Sequence, residues 1–182
     1  MLPRPPPTSR YIRRRSGARR ALRIGHDALR VTTTDFVPAD FPVPGEATFG
    51  DLRLVPLGPE HNAADYAAWT SSIDHIRATP GFPDGSWPRP MSMAENLRDL
   101  ERHANDFRTR RGFTYTVLEG DGEVVGCVYI YPSKQTDVDA HVQSWVRADR
   151  SDLDRPLYEA VSAWLTNGWP FRTFEYGERA GG

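Results

Sequence analysis

Apolar positions recur with two different periods between residues 52 and 176, and the changes of period divide the chain into elements. Order begins near Leu52, where LRLVPL alternates like a short strand. Pro59 to Ser71 reads as a helix, with Ala63, Tyr66, Ala67 and Trp69 among its apolar or small positions. Residues 73–91, IDHIRATPGFPDGSWPRPM, carry prolines and glycines throughout and read as one long loop containing Phe82 and Trp87. Long loops in compact domains are often functional. The next helix has an S-x-x-E capping box at Ser92 and Glu95. Met93, Leu97, Leu100, Ala104 and Phe107 give it one apolar stripe, and Gly112 ends it. His103 lies near that stripe and reads as a partly exposed helix residue.

FTYTVLEGDGEVVGCVYIYP reads as a β-hairpin around Gly120-Asp121-Gly122. Gly126 inside its second arm points to a bulge or a close backbone approach, and Pro132 ends the arm. Ala140 to Arg147 is a further strand. Ala140, Val142, Ser144 and Val146 share one face, and His141, Gln143, Trp145 and Arg147 share the other. Then VRADRSDLDRPLYEAVSAWL runs from the strand's end through an arginine-rich turn into an amphipathic helix. Leu157, Val161, Trp164 and Leu165 form its buried stripe, Asp154 or Asp152 should cap it, and Pro156 fits its first turn. Asn167-Gly168 ends the helix, and Phe171 to Tyr176 is a last short strand.

Length and charge narrow the picture. A chain of 182 residues suggests one domain with a real core. Residues 1–35 lack hydrophobic periodicity and should be disordered, so the organisation expected is a disordered or extended leader over 1–48 and a folded domain over 49–178. RRRSGARRAL is not a twin-arginine export signal, because no apolar stretch follows. It is either a nucleic-acid or membrane-surface arm, or sequence ahead of a later start at Val31. Residues 1–30 carry +8, which leaves −9 on the rest, and an acidic body with a basic arm argues against a nucleic-acid-binding domain. No apolar run is long enough to cross a membrane. The single cysteine, Cys127, excludes a disulfide framework and reads as a buried structural thiol, with a reducing cytoplasm as the default. Arginine outnumbers lysine 22 to one, which reads as the codon bias of a GC-rich, bacterial genome. There is no metal-ligand spacing, P-loop or GxSxG.

The order strand, helix, helix, hairpin, strand, helix, strand, together with DGEVVGCVYIYP and AHVQSWVRADR, resembles the GNAT N-acetyltransferase family over roughly residues 50–176. The resemblance implies an α/β (α+β) acyl-CoA N-acyltransferase fold, with a mixed, mostly antiparallel sheet flanked by helices and incomplete at the C-terminus. It implies an acetyl-CoA-dependent N-acetyltransferase acting on a small-molecule or protein amine, with no metal. In that family the central strand splays from its neighbour, and pantetheine lies in the cleft like an added strand; here Trp145 and Val146 would meet it. The family holds the pyrophosphate in a turn of pattern Q/R-x-x-G-x-G/A, but no register of this turn supplies the glycines. Arg147, Arg150 and Arg155 could hold phosphate through their side chains, or pair with Asp149, Asp152 and Asp154 in a solvated turn.

The family often places a glutamate base just after Ala140, where this chain has His141, a chemically sensible substitute. Tyr158 and Tyr176 are the candidate acids for the leaving thiolate, and Phe82 and Trp87 would wall the acceptor site. The family's further helix and strands after the last strand are missing, so a second copy could cover the open sheet edge as a homodimer. The alternative is a non-catalytic GNAT-like domain that binds a partner or small ligand and has lost acetyl-CoA binding.

Overall fold

The computed structural model describes residues 35–82 and 86–179, so the expectations for the basic arm and for a start at Val31 lie outside the described residues. Six strands lie in chain order in one sheet: β1 (Ala47–Phe49), β2 (Leu52–Pro56), β3 (Phe113–Glu119), β4 (Glu123–Pro132), β5 (Ala140–Val146) and β6 (Phe174–Tyr176). Neighbours are antiparallel except β5 and β6, which run parallel. Between β2 and β3 come α1 (Asn62–Thr70), α2 (Ile73–Ala78) and α3 (Met93–Arg108), and α4 (Asp154–Gly168) connects β5 to β6. A crossover helix is the usual way to join two parallel strands, and α4 fills that place in the chain.

The sheet has a core on each face, which is why its middle strands read as nearly continuous apolar runs. On one face Leu54, Val117, Val128, Ile130, Val142 and Val146 pack with Leu157, Val161 and Leu165 of α4. On the other, Cys127 and Trp145 pack with Trp69 of α1, Ile76 of α2 and Leu100 of α3. The alternation read along β5 therefore sorts its side chains between two cores, as expected.

Gly126 serves both purposes expected of it. Val117 faces Gly126 while Leu118 faces Val124, so Val125 is a bulge in β4. A Cβ on Gly126 would also stand 2.2 Å from the Trp145 carbonyl oxygen, a distance no side chain tolerates. The capping box at Ser92 and Glu95 is formed, with the Glu95 N–H donating to Ser92 Oγ at 3.2 Å.

The expectations for the 73–91 loop, the α3 stripe, His103 and the α4 cap are corrected. Six residues of the supposed 73–91 loop form α2, a helix too short to show a period among prolines and glycines. The buried stripe of α3 contains Asn96, Leu100 and His103, while Met93 is exposed. Polar residues hold these places because each is hydrogen-bonded: Trp69 Nε1 donates to Asn96 Oδ1 at 2.9 Å, and His103 Nδ1 lies 2.8 Å from the Tyr131 hydroxyl. His103 is thus buried, not partly exposed. No side chain caps α4, where Leu153 stands at the N-cap and Asp154 is engaged elsewhere. Within the expected leader, Val37 is fully buried, and Phe36, Phe41 and Val43 pack on the α4-side core. The Tyr115 hydroxyl donates to the Pro44 carbonyl at 2.7 Å, fastening this segment to the sheet.

Candidate functional site

A cavity of about 760 Å³ opens between α3, the segment after α2 and the outer ends of β4 and β5. Phe82, Trp87 and Tyr129 give it an aromatic side, and His103, Tyr131, His141, Gln143 and Glu175 give it polar groups. Trp87 packs at 5.6–6.2 Å from the rings of Phe82, Trp69, Tyr129 and Trp145, so this segment walls the cavity and forms a small core at once. The side chain of Gln143 donates to the Gly81 carbonyl and ties the same segment to β5.

His141 sits at the start of β5 opposite Glu175 of β6, and the register of the parallel pair puts them side by side. Its Nδ1 is 2.9 Å from Glu175 Oε1, and the imidazole is 41% exposed towards the cavity. A hydrogen bond from Ser133 and the neighbouring His141 hold the Glu175 carboxyl below its ordinary range. Glu175 thus holds the ring of His141 by its Nδ1. Below it lies a second polar cluster. Burial alone would raise the Asp99 pKa, but hydrogen bonds from His103 and Arg102 overcome that and hold it at about 2. Asp65 is the opposite case: burial pushes its carboxyl up to about 6, against one hydrogen bond from Asn96 at 3.0 Å.

The second feature is the place where β5 and β6 part, called the cleft below. The strands pair only over Ala140–Val142 and Phe174–Tyr176, and β5 then continues to Val146 paired with β4 alone. Trp145 turns its carbonyl towards Gly126 of β4, which leaves the carbonyl of Ser144 facing the cleft. Arg179 fills that space. Its guanidinium donates to the Ser144 carbonyl at 2.9 Å and to Asp154 Oδ2 at 2.7 Å, and it lies over the rings of Tyr158 and Tyr176. The two tyrosines are therefore together, 4.7 Å between centroids, but on the cleft and not with His141 at the cavity. Burial pushes the Tyr176 phenol up to about 12, and its hydroxyl is bonded to Ser144 Oγ.

The turn after β5 is a 3-10 helix, Ala148–Leu153. Its first N–H donates to Ser72 Oγ at 3.0 Å, and the Arg150 N–H donates to the Arg147 carbonyl at 3.0 Å. The three arginines are all paired. Arg147 binds Glu123 and Asp149, Arg150 binds Glu119 and lies 3.6 Å from Asp152, and Arg155 binds Glu159 at 2.8 Å. Trp145 and Val146 are fully buried in the sheet. Ser144, Glu175, Arg179 and the α3 cluster carried no sequence signal as site residues. Glu175 becomes visible only through the β5–β6 register, and Arg179 only in three dimensions. Cys127 is fully buried and burial pushes its thiol up, which removes it as a nucleophile. Among the described residues no cluster of three or more His, Cys, Asp or Glu is placed to hold a metal ion, and no helix is long and apolar enough to cross a membrane.

No sequence-family profile matches the chain. No curated protein matches it by sequence. Solved structures do match. The ribosomal L7/L12 alpha-N-protein acetyltransferase RimL in complex with coenzyme A superposes with a TM-score of 0.51 at 12% identity, over 66% of this chain and 64% of that one. An acetyltransferase from Thermus thermophilus superposes with a TM-score of 0.50 at 19% identity, over 65% of this chain and 71% of that one. The chain has the fold of the GNAT acetyltransferases. It spans less than two thirds of the length of RimL, and at these identities the likeness speaks for the GNAT fold alone.

Proposed function

We propose that this GNAT-fold protein is an acyl-CoA-dependent N-acetyltransferase, with its amine acceptor in the cavity beside His141. The observation that carries this reading is the His141–Glu175 pair at 2.9 Å, exposed to a cavity of about 760 Å³ at the head of the β5–β6 cleft. An imidazole held by a carboxylate there can take a proton from an ammonium group. Phe82 and Trp87 would bound the acceptor, and Asp99 and Glu175 supply negative charge near it. RimL is a ribosomal L7/L12 alpha-N-protein acetyltransferase, which makes a protein N-terminus one acceptor class to try beside small amines. Trp145, Val146, Arg147, Arg150 and Arg155 remain the proposed cofactor side, with Tyr158 and Tyr176 as the proposed acids. As the side chains stand, that side does not fit acetyl-CoA, because Arg179 occupies the cleft and each arginine has a carboxylate.

That same filled cleft favours a second reading, a non-catalytic GNAT-fold domain that binds a ligand in the cavity. A thermal shift with acetyl-CoA, desulfo-CoA and ATP separates them. Ligand at about 100 times Kd adds about 2.7 kcal/mol, a rise of roughly 5–10 °C for a domain of this size. The first reading expects a rise with both CoA compounds and none with ATP. No rise with any of them, in the wild type and in a variant with the cleft cleared, would leave the second.

A further inference from the structure

All five N–H donors of the Arg179 guanidinium are used. Nε donates to Asp154 Oδ2 at 2.7 Å. Nη1 donates to the carbonyls of Gly177 at 2.7 Å and Pro80 at 3.2 Å. Nη2 donates to the carbonyl of Ser144 at 2.9 Å and to its Oγ at 3.0 Å. The side chain is only 4% exposed, and the Tyr158 and Tyr176 rings lie 5.6 and 5.5 Å from the guanidinium carbon. A planar fork satisfied on every edge and set against two neighbouring aromatic rings is a rigid feature, unlike a surface arginine in passing contact.

The position matters more than the strength. Ser144 lies two residues past the last β5–β6 pair, so its outward carbonyl is not bonded to β6. A ligand that lay along β5 as an added strand would have to bond to that carbonyl, and Arg179 already does. On its other side Arg179 neutralises Asp154, the first residue of α4, whose second carboxylate oxygen is buried without a hydrogen-bond partner. Without the guanidinium, Asp154 would present negative charge at the helix start, where an anionic ligand would otherwise be welcome.

We infer that Arg179 is a built-in occupant of the acyl-CoA cleft, and that an acyl-CoA can bind only when this side chain leaves Ser144 and Asp154. The inference rests on the acetyltransferase reading of the cleft. It makes the missing glycines of the turn a secondary obstacle, since the strand edge itself is taken. It also makes residues 177–179 the determinant of cofactor affinity, although the resemblance gave them no role.

The test is a double variant, Arg179→Ala with Asp154→Asn, which removes the plug without leaving a bare carboxylate. Affinities for acetyl-CoA and for pantetheine are measured by calorimetry on wild type and variant, with melting curves to show that both are folded. Pantetheine carries no phosphate, so it reads the cleft apart from the charge. The expected result is at least tenfold tighter binding of both compounds by the variant. A gain for acetyl-CoA alone would make the effect one of charge and overturn the plug. Wild-type binding of acetyl-CoA that the variant does not improve would also overturn it, yet leave the acetyltransferase reading standing. No binding by either protein at millimolar ligand would overturn both. If the double variant does not fold, Arg179→Lys keeps the charge beside Asp154 but loses the fork. It should then show a smaller gain in the same direction, and no gain would overturn the proposal.

Discussion

His141 and Ser144 stand three residues apart on β5, and their surroundings are opposite. His141 has one carboxylate partner and an open cavity beside it. Ser144 is fully buried, with its carbonyl and hydroxyl taken by Arg179 and Tyr176. One strand thus offers a preformed space on its face and a filled one at its edge. Under the proposed function, the acceptor side and the cofactor side of the site are in different states of readiness within one fold. A degenerate loop motif does not by itself say which half has changed.

The comparison can be broken at its shared support. Gly126 lets β4 approach Trp145 of β5, the strand that borders both spaces. Gly126→Ala should cost about 3 kcal/mol and lower the melting temperature by roughly 10 °C, because the Cβ meets backbone that cannot step aside. A melting curve within about 2 °C of wild type would mean that the strands have more room than their register suggests.

The cavity half is sharpened by His141→Ala. Under the proposed function turnover should fall about a hundredfold. The melting temperature should hardly move, since a half-exposed pair contributes little to stability. A protein that loses stability and keeps its rate would place His141 in the architecture and not in the chemistry.

Asp65 gives a pH-dependent handle on the buried α1–α3 contact. Its folded pKa of about 6 lies above the ordinary 3.8, so its contribution is full below pH 3.8 and is lost as the pH rises through 6. Asp65→Asn, neutral at every pH, should therefore stabilise by about 2 kcal/mol at pH 8 and by almost nothing at pH 4. Denaturant titrations at the two pH values check this, and equal effects at both would place the carboxylate in contact with water. The smallest effect belongs to the turn. Arg155→Ala removes an exposed i,i+4 pair with Glu159 and should change stability by less than about 0.5 kcal/mol by chemical denaturation.

What could be read from the chain beforehand was what local chemistry dictates. The capping box of α3, the Gly120–Gly122 turn, the need for glycine at 126 and the two faces of β5 each depend on a few neighbouring residues, and each is present. What could not be read depends on distant partners. Asn96 and His103 take core positions because Trp69, Asp65, Thr114 and Tyr131 meet them there. A hydrophobic pattern counts such residues as exposed. Tyr158 and Tyr176 were legible as candidate acids but not as the walls of an arginine's berth, since that arginine follows the last strand. The arginines of the turn pair partly with the aspartates beside them and partly with Glu119, Glu123 and Glu159, two of which come from the β3–β4 hairpin.

The strap formed by Phe36, Val37, Phe41 and Val43 has a practical consequence. A shortened protein begun at residue 49, the expected start of the folded domain, would cut through β1, strip these side chains from the α4-side core and leave the Tyr115 hydroxyl without Pro44. It would present a raw apolar face to water and invite self-association. Any two copies seen to join in such a fragment would then report the cut and not the native molecule.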